Sequence, residues 1–450
     1  FIDLEDVPDP SVPKEQIYSL SRCLGLAHEK NYLIKAAHWK VAYGHSQGTE
    51  AQWAWFPRIL FKSYLAPAPN MNAPDSQNFS TFMAQRGPNH WYNFDGVVWG
   101  TDITITAPLF TFGKIYQVIK QGPLAEKAAK LEERKVRATV AYEVKRAFYT
   151  LQLLEQSSDM LDEGLDNLKQ AEDKLNELLA KGDTGVSKVD GWRLEVMRSE
   201  IMAKVEETKQ NRILLQRALH LLLALPDNEP LFLEHRYLRA PQAPEFLAGE
   251  NSEPFLRRMA EGRPELALLK LDRQYKELER KRRWAYFWPD IALSMRYNYT
   301  KASDIPDVKN PWLSDPFNTS GFSGYVGLQF DLNFPGTAAR YLQAKAQAEM
   351  SRENEKAQGS LMAFEAEQAF RDWKSKAAQI AISQKGSKAG HKWMVSRSLD
   401  YGMGLIETKD VVDGISNYFK SQFTYISALH EANMALARLE QLLGEEELAK

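Results

Sequence analysis

Two acids beside a glycine turn are the strongest candidates for chemistry. Asp410 and Asp413 lie three positions apart, so on a helix they project from one face. Like charges held that close attract cations. The other reading is a pair of exposed acids favoured near a helix N-terminus. His38 and His45 share a helix face two turns apart, a spacing compatible with a metal, and the remaining histidines are scattered. The chain contains no His-Glu-x-x-His, no P-loop, no Gly-x-Ser-x-Gly and no dinucleotide fingerprint. The expectation is therefore no enzyme, no cofactor and no metal site.

Bulk properties narrow the class. With 44% apolar and 26% charged residues in 450, this is not a disordered chain. Lys plus Arg number 57 against 59 Asp plus Glu, which gives no electrostatic reason to expect nucleic acid. The single cysteine, Cys23, excludes an intramolecular disulfide and reads as a small buried apolar residue within Leu20–Leu26. No run of about 20 apolar residues exists to form a transmembrane helix. A start at Phe1 without Met fits a precursor whose signal peptide is gone.

The elements that would position the acids occur twice in one order. The first copy, 1–226, has a helix at 15–54, strands at about 55–65 and 94–110, and a helical hairpin 114–224 with its tip at 182–187. A linker follows at 227–263. The second copy, 264–450, has a helix 264–286, strands at about 289–300 and 322–334, and a hairpin 337–443 with its tip at 401–405. Pro57 and Pro289 lie 232 residues apart, and the turn glycines Gly185 and Gly404 lie 219 apart, so the order of parts is an internal duplication.

The strands alternate. Ile291, Leu293, Met295, Tyr297 and Tyr299 fall on one face, against Ala292, Ser294, Arg296, Asn298 and Thr300. Val326, Leu328, Phe330, Leu332 and Phe334 alternate with Gly327, Gln329, Asp331 and Asn333, and Trp99, Ile103 and Ile105 with Gly100, Asp102 and Thr104. Such strands suit a lipid-embedded β-barrel, and equally a sheet with one wet face. Aromatics at the strand ends, Trp55, Phe56, Phe110, Phe287, Trp288 and Phe334 among them, resemble an interfacial girdle. Four strands cannot close a barrel, so a membrane reading requires oligomerisation.

From Val140 the apolar residues step by four and three through Val144, Ala147, Leu151, Leu154, Leu161, Leu165, Leu168, Leu175 and Leu179, with Ser158 and Glu172 as polar breaks. This is a coiled-coil seam. The segment Lys114–Lys181 would span roughly 100 Å as a helix. Gly122-Pro123 predicts a kink or restart. A soluble periplasmic coiled-coil scaffold or tether would explain the seam, though not the alternating strands.

Six segments in order resemble the TolC-like outer-membrane efflux family over nearly the whole chain: Tyr18–Asn31, Ala51–Pro57, Ala107–Lys114, Arg263–Leu266, Tyr401–Asp413 and Arg438–Gly444. The resemblance implies a homotrimer. Its three chains would close a trimeric 12-stranded β-barrel in the outer membrane of a Gram-negative bacterium. A long α-helical coiled-coil tunnel would continue it through the periplasm. It implies a passive exit duct for efflux or type I secretion, in contact with outer-membrane lipid. A periplasmic adaptor protein would bind the tips Gly182, Gly185, Val186, Gly402, Gly404 and Leu405 and connect the duct to an inner-membrane transporter. Asp410 and Asp413 match two aspartates that ring the family's closed entrance. Tyr401 matches a tyrosine of its lock, whose arginine partner is replaced by Ile406. Asp190, one position off the family's register, is a second candidate for the lock.

Overall fold

The computed structural model describes residues 13, 16–68, 96–181, 188–227, 229–303, 305, 307–308, 312, 315, 317–403 and 405–445. The expected tip 182–187 lies outside them, as does Gly404. The chain forms two compact units. One comprises 45–126 and 272–352, the other 1–44, 127–271 and 353–450. The smaller unit takes one segment from each sequence copy, and these segments start 227 residues apart (His45, Asp272) and end 226 apart (Glu126, Arg352).

In the smaller unit, strands β2 (Arg58–Ala68), β3 (Gly96–Phe110), β5 (Asp290–Ala302) and β6 (Thr319–Gln329) form one antiparallel sheet in the order β2-β3-β5-β6. Each boundary has a local cause. β2 starts at Arg58 instead of near 55, because Trp53–Trp55 complete a 3₁₀ turn and Pro57 lacks an N–H to donate. β6 ends at Gln329, five residues before the expected end. Asn333 Oδ1 accepts from Gly336 N at 3.1 Å and Asp331 Oδ1 from Asn333 N at 3.1 Å. These side-chain caps favour a helix start, and α7 (Phe334–Gly402) begins three residues earlier than expected. The other strand leads into its helix through two left-handed residues, Phe112 (φ 49°) and Gly113 (φ 93°). Lys114 then opens α3 (Lys114–Ala180), and its Nζ donates to Trp288 O (3.0 Å) and Asp290 Oδ1 (2.8 Å), tying the first copy to the start of β5.

α3 does not restart at Gly122-Pro123: the helix continues through the proline. Gly122 has no Cβ to meet the proline ring. The same absence lets the Gly48 carbonyl of α2 (Tyr32–Gln52) approach, since a Cβ on Gly122 would stand 2.6 Å from Ala51 Cβ and 3.1 Å from Gly48 O. The first helix is also not one piece. α1 (Leu20–Lys30) ends at Asn31, whose Oδ1 accepts from Leu33 N (2.9 Å) and whose Nδ2 donates to Leu222 O (2.8 Å).

The larger unit holds the helical cores. α3 from Lys127, α4 (Lys188–Leu223), α7 from Glu353 and α8 (Thr408–Leu443) supply most of them. Val140, Val144, Ala147, Leu151, Leu168 and Leu175 of the expected seam are buried. Between them the buried line runs through Ser157, Met160 and Gly164, and Leu154, Leu161 and Leu165 are only half-buried. At the far end Leu179 is exposed. The stretch expected as linker contains α5 (Glu253–Gly262), whose Phe255 and Met259 pack with Phe370, Trp373 and Leu439. It also contains β4 (Phe232–Leu233), paired in parallel with β1 (Ile17–Tyr18). α8 ends on Gly444 (φ 68°), a left-handed cap that only glycine adopts freely. The remaining helix, α6 (Pro264–Ala285), leads towards β5.

Candidate gate and lipid-facing surface

The candidate gate residues sit where α7 turns into α8. The first turns of α8 bury Thr408, Val411, Ile415 and Tyr418 at steps of three and four. Val411, Ile415 and Tyr418 pack with Leu168, Ala171 and Leu175 of α3, Leu194 of α4, and Met394 and Tyr401 of α7. Gly414 belongs to the same stripe: a Cβ there would meet Arg397 Cβ at 3.3 Å, so α7 and α8 approach closely. The opposite side of α8 carries the candidate acids, Asp413 exposed and Asp410 half-exposed. Asp410 also lies in the first turn, where the helix dipole favours a carboxylate.

Tyr401 is buried, and its hydroxyl shares a 3.2 Å hydrogen bond with Thr408 Oγ1. Burial raises the hydroxyl's pKa, Thr408 opposes that shift, and the negative charge of Asp190 adds to it. Asp190 is therefore near enough to be felt, and it also pairs with Arg193 at 3.3 Å. Thr408 is the residue that sequence reasoning missed. Its signal is a hydroxyl at an apolar stripe position seven residues after Tyr401. Ile406, in the place of the family's arginine, is half-buried against this core. Gly402 and Leu405 are exposed at the turn, while Gly182, Gly185, Val186 and Gly404 lie outside the described residues.

Neither histidine candidate collects a metal shell. His38 pairs with Glu133 (3.7 Å) and His45 with Glu126 (3.1 Å), and no group of three metal-ligating side chains occurs among the described residues.

The sheet brings the alternating strands into one register. Its register sets Phe61 opposite Ile103, Ile103 opposite Tyr297, and Tyr297 opposite Phe322. Ile59, Leu65, Trp99, Ile105, Ile291, Leu293, Met295, Val326 and Leu328 follow on the same face. Among the described residues nothing covers this face: Phe61 is 64% exposed, Leu65 73%, Phe322 73% and Leu328 67%. The other face carries Arg58, Lys62, Asp102, Thr104, Arg296 and Asn298. The outer sides of β2 and β6 have no strand partner among the described residues.

One end of the sheet gathers aromatics. Trp55 and Phe56 precede β2, Phe110 ends β3, Phe287 and Trp288 precede β5, and Phe334 follows β6. Phe112 stacks on Trp288 (5.5 Å, 14°) and meets Phe110 edge-on at 4.7 Å. Phe330 meets Phe334 at 5.6 Å, and Phe287 meets Tyr341 at 6.2 Å.

No protein-family model and no curated protein sequence matches the chain. Solved structures match along nearly its whole length. The outer-membrane channel OprN aligns with a TM-score of 0.76 at 13% identity, over 98% of this chain and 95% of that one. The outer membrane protein VceC of Vibrio cholerae aligns with a TM-score of 0.76 at 12% identity, over 95% and 96%. The MtrE outer membrane channel of Neisseria gonorrhoeae, in its open state, aligns with a TM-score of 0.71 at 14% identity, over 95% and 89%. This chain has the fold of the outer-membrane channels.

Proposed function

We propose that the chain is one protomer of a homotrimeric outer-membrane export duct, a passive conduit in a tripartite efflux or type I secretion system. The exposed apolar face of an open sheet carries the reading. A soluble sheet hides its apolar face on a core and leaves the polar face wet. Here the apolar face is bare and, apart from Lys301 at the far end of β5, the charges of the described strands lie on the other side, the pattern of lipid outside and water inside. Open edges cannot remain in lipid, and three copies of four strands close them. Exposed Trp192, Val196, Leu214 and Leu221 on α4 support the same conclusion, because they are apolar surface for a neighbouring chain. The similarity in fold to outer-membrane channels supports it further. The scaffold alternative leaves the bare apolar face unexplained.

In this duct the helical part lies in the periplasm, and the α7–α8 turn, with Gly402 and Leu405, offers a contact for an adaptor. Asp410 and Asp413 of three chains form a ring of carboxylates at the periplasmic entrance that concentrates cations. Tyr401 and Thr408 hold the helix that presents them, and Asp190 reinforces the closed arrangement. The test is extraction and reconstitution. The protein should leave the envelope only with detergent, migrate as a trimer and conduct ions in a planar bilayer. Release without detergent as a monomer would overturn the proposal.

A further inference from the structure

The polar face of the sheet is unevenly charged. Lys62 on β2 stands directly opposite Asp102 on β3. From the β5 side the Arg296 guanidinium donates to Asp102 Oδ2 at 2.5 Å. One carboxylate thus meets two cations at one level of the sheet, and Arg58, towards the aromatic end, is a third cation on the same face. The remaining charge on this face, Asp290, stands at the end of β5 and is held by Lys114 at 2.8 Å. Exposure sharpens the imbalance: the Asp102 side chain is 16% exposed while that of Arg296 is 62% exposed. The acid is covered, and the cations project. The apolar face carries no charge along Ile59–Leu65, Trp99–Ile105, Ile291–Tyr299 or Ser320–Leu328; Lys301, opposite Trp99 at the far end of β5, is its one charge among the described strand residues and pairs with Asp307 at 2.7 Å.

We propose that Arg58, Lys62 and Arg296 line the strand section of the lumen as an electrostatic filter that favours anionic small molecules, with Asp102 fixing the position of Arg296. This rests on the duct reading above. Charged side chains at membrane depth are costly unless they face water, and there they set which ions pass. Low-dielectric walls strengthen their field, and threefold repetition triples the positive excess. The duct is then bipolar, with carboxylates at the helical entrance and cations between the strands.

The test uses the assembled protein in intact cells with Cys23, which is buried, replaced by Ser. Ser294→Cys places a thiol on the polar face level with Arg58, and Met295→Cys places one on the apolar face. Each is treated from outside with an anionic sulfonatoethyl or a cationic trimethylammonioethyl methanethiosulfonate. Rates are normalised to those of a free thiol. At low ionic strength the anionic reagent should modify Ser294→Cys about tenfold faster than the cationic one. Arg58→Gln with Lys62→Gln should erase most of that preference while leaving the Asp102–Arg296 pair intact, and Arg58→Lys with Lys62→Arg should keep it. Equal rates, or a preference unchanged by the glutamines, would overturn the filter and leave the duct standing. A Ser294→Cys that neither reagent reaches would overturn the duct reading as well. Met295→Cys should stay unmodified by either.

Discussion

Phe61→Arg offers the sharpest separation of a lipid-facing sheet from a wet one. Phe61 pairs with Ile103, the midpoint of β3 (Gly96–Phe110), so about 23 Å of strand lies on either side. In lipid an arginine at that depth should cost about 2–4 kcal/mol per chain. In water a substitution at a side chain already 64% exposed should stay within about 0.5 kcal/mol. The neighbouring Leu60 points to the polar face, so Leu60→Arg should cost no more than about 0.5 kcal/mol in either case. The predicted gap corresponds to a factor of roughly 30 to 900 in the folding equilibrium. Denaturant unfolding in lipid vesicles, followed by fluorescence of Trp99 and its neighbours, would measure it. Two variants agreeing to within about 0.5 kcal/mol would refute a lipid-facing sheet.

Further outcomes follow from other sites. Asp410→Asn with Asp413→Asn should lower cation preference and weaken block by multivalent cations in single-channel recordings, with the trimer unchanged. Glu440→Ala removes the carboxylate 2.6 Å from the buried ammonium of Lys145 and should cost about 3 kcal/mol, read as a fall in thermal stability. Gly122→Leu should cost about 1–3 kcal/mol, because the Gly48 and Ala51 backbone and Cβ atoms stand in the way. His430 is half-buried, its pKa is lowered by desolvation, and its Nε2 lies 3.1 Å from Thr150 Oγ1. The folded state therefore favours the neutral ring. Its stabilisation is present above the unfolded value of about 6.5 and lost as pH falls through the lowered folded value. Stability measured below pH 6.5 should decline less steeply in His430→Gln.

The helices and strands were legible because their periods are local properties: a repeat of two in 291–300 and steps of three and four from Val140 need no partner to be seen. The ends of elements were less so. Asn333, Pro57 and Asn31 moved boundaries through hydrogen bonds or a missing donor, each decided within a few residues but against the hydrophobic period. The shared face of Asp410 and Asp413, the proposed gate, was legible because identical charges three apart on a helix share a face in any fold. Thr408 as the partner of Tyr401 was not, since a hydroxyl on a buried stripe gains meaning only when the turn brings the two within 3.2 Å.

By itself the sequence determined that every strand has one apolar and one polar side, because side chains alternate along any extended backbone. Only the tertiary structure decided that all four apolar sides coincide and stand bare. Strand register is a long-range choice, and a one-residue slip would have turned any strand's apolar side to the other face. The same register brought Asp102 between Lys62 and Arg296, residues 40 and 194 positions away along the chain. Their shared face follows from the pairing of β2, β3 and β5, which no local pattern specifies.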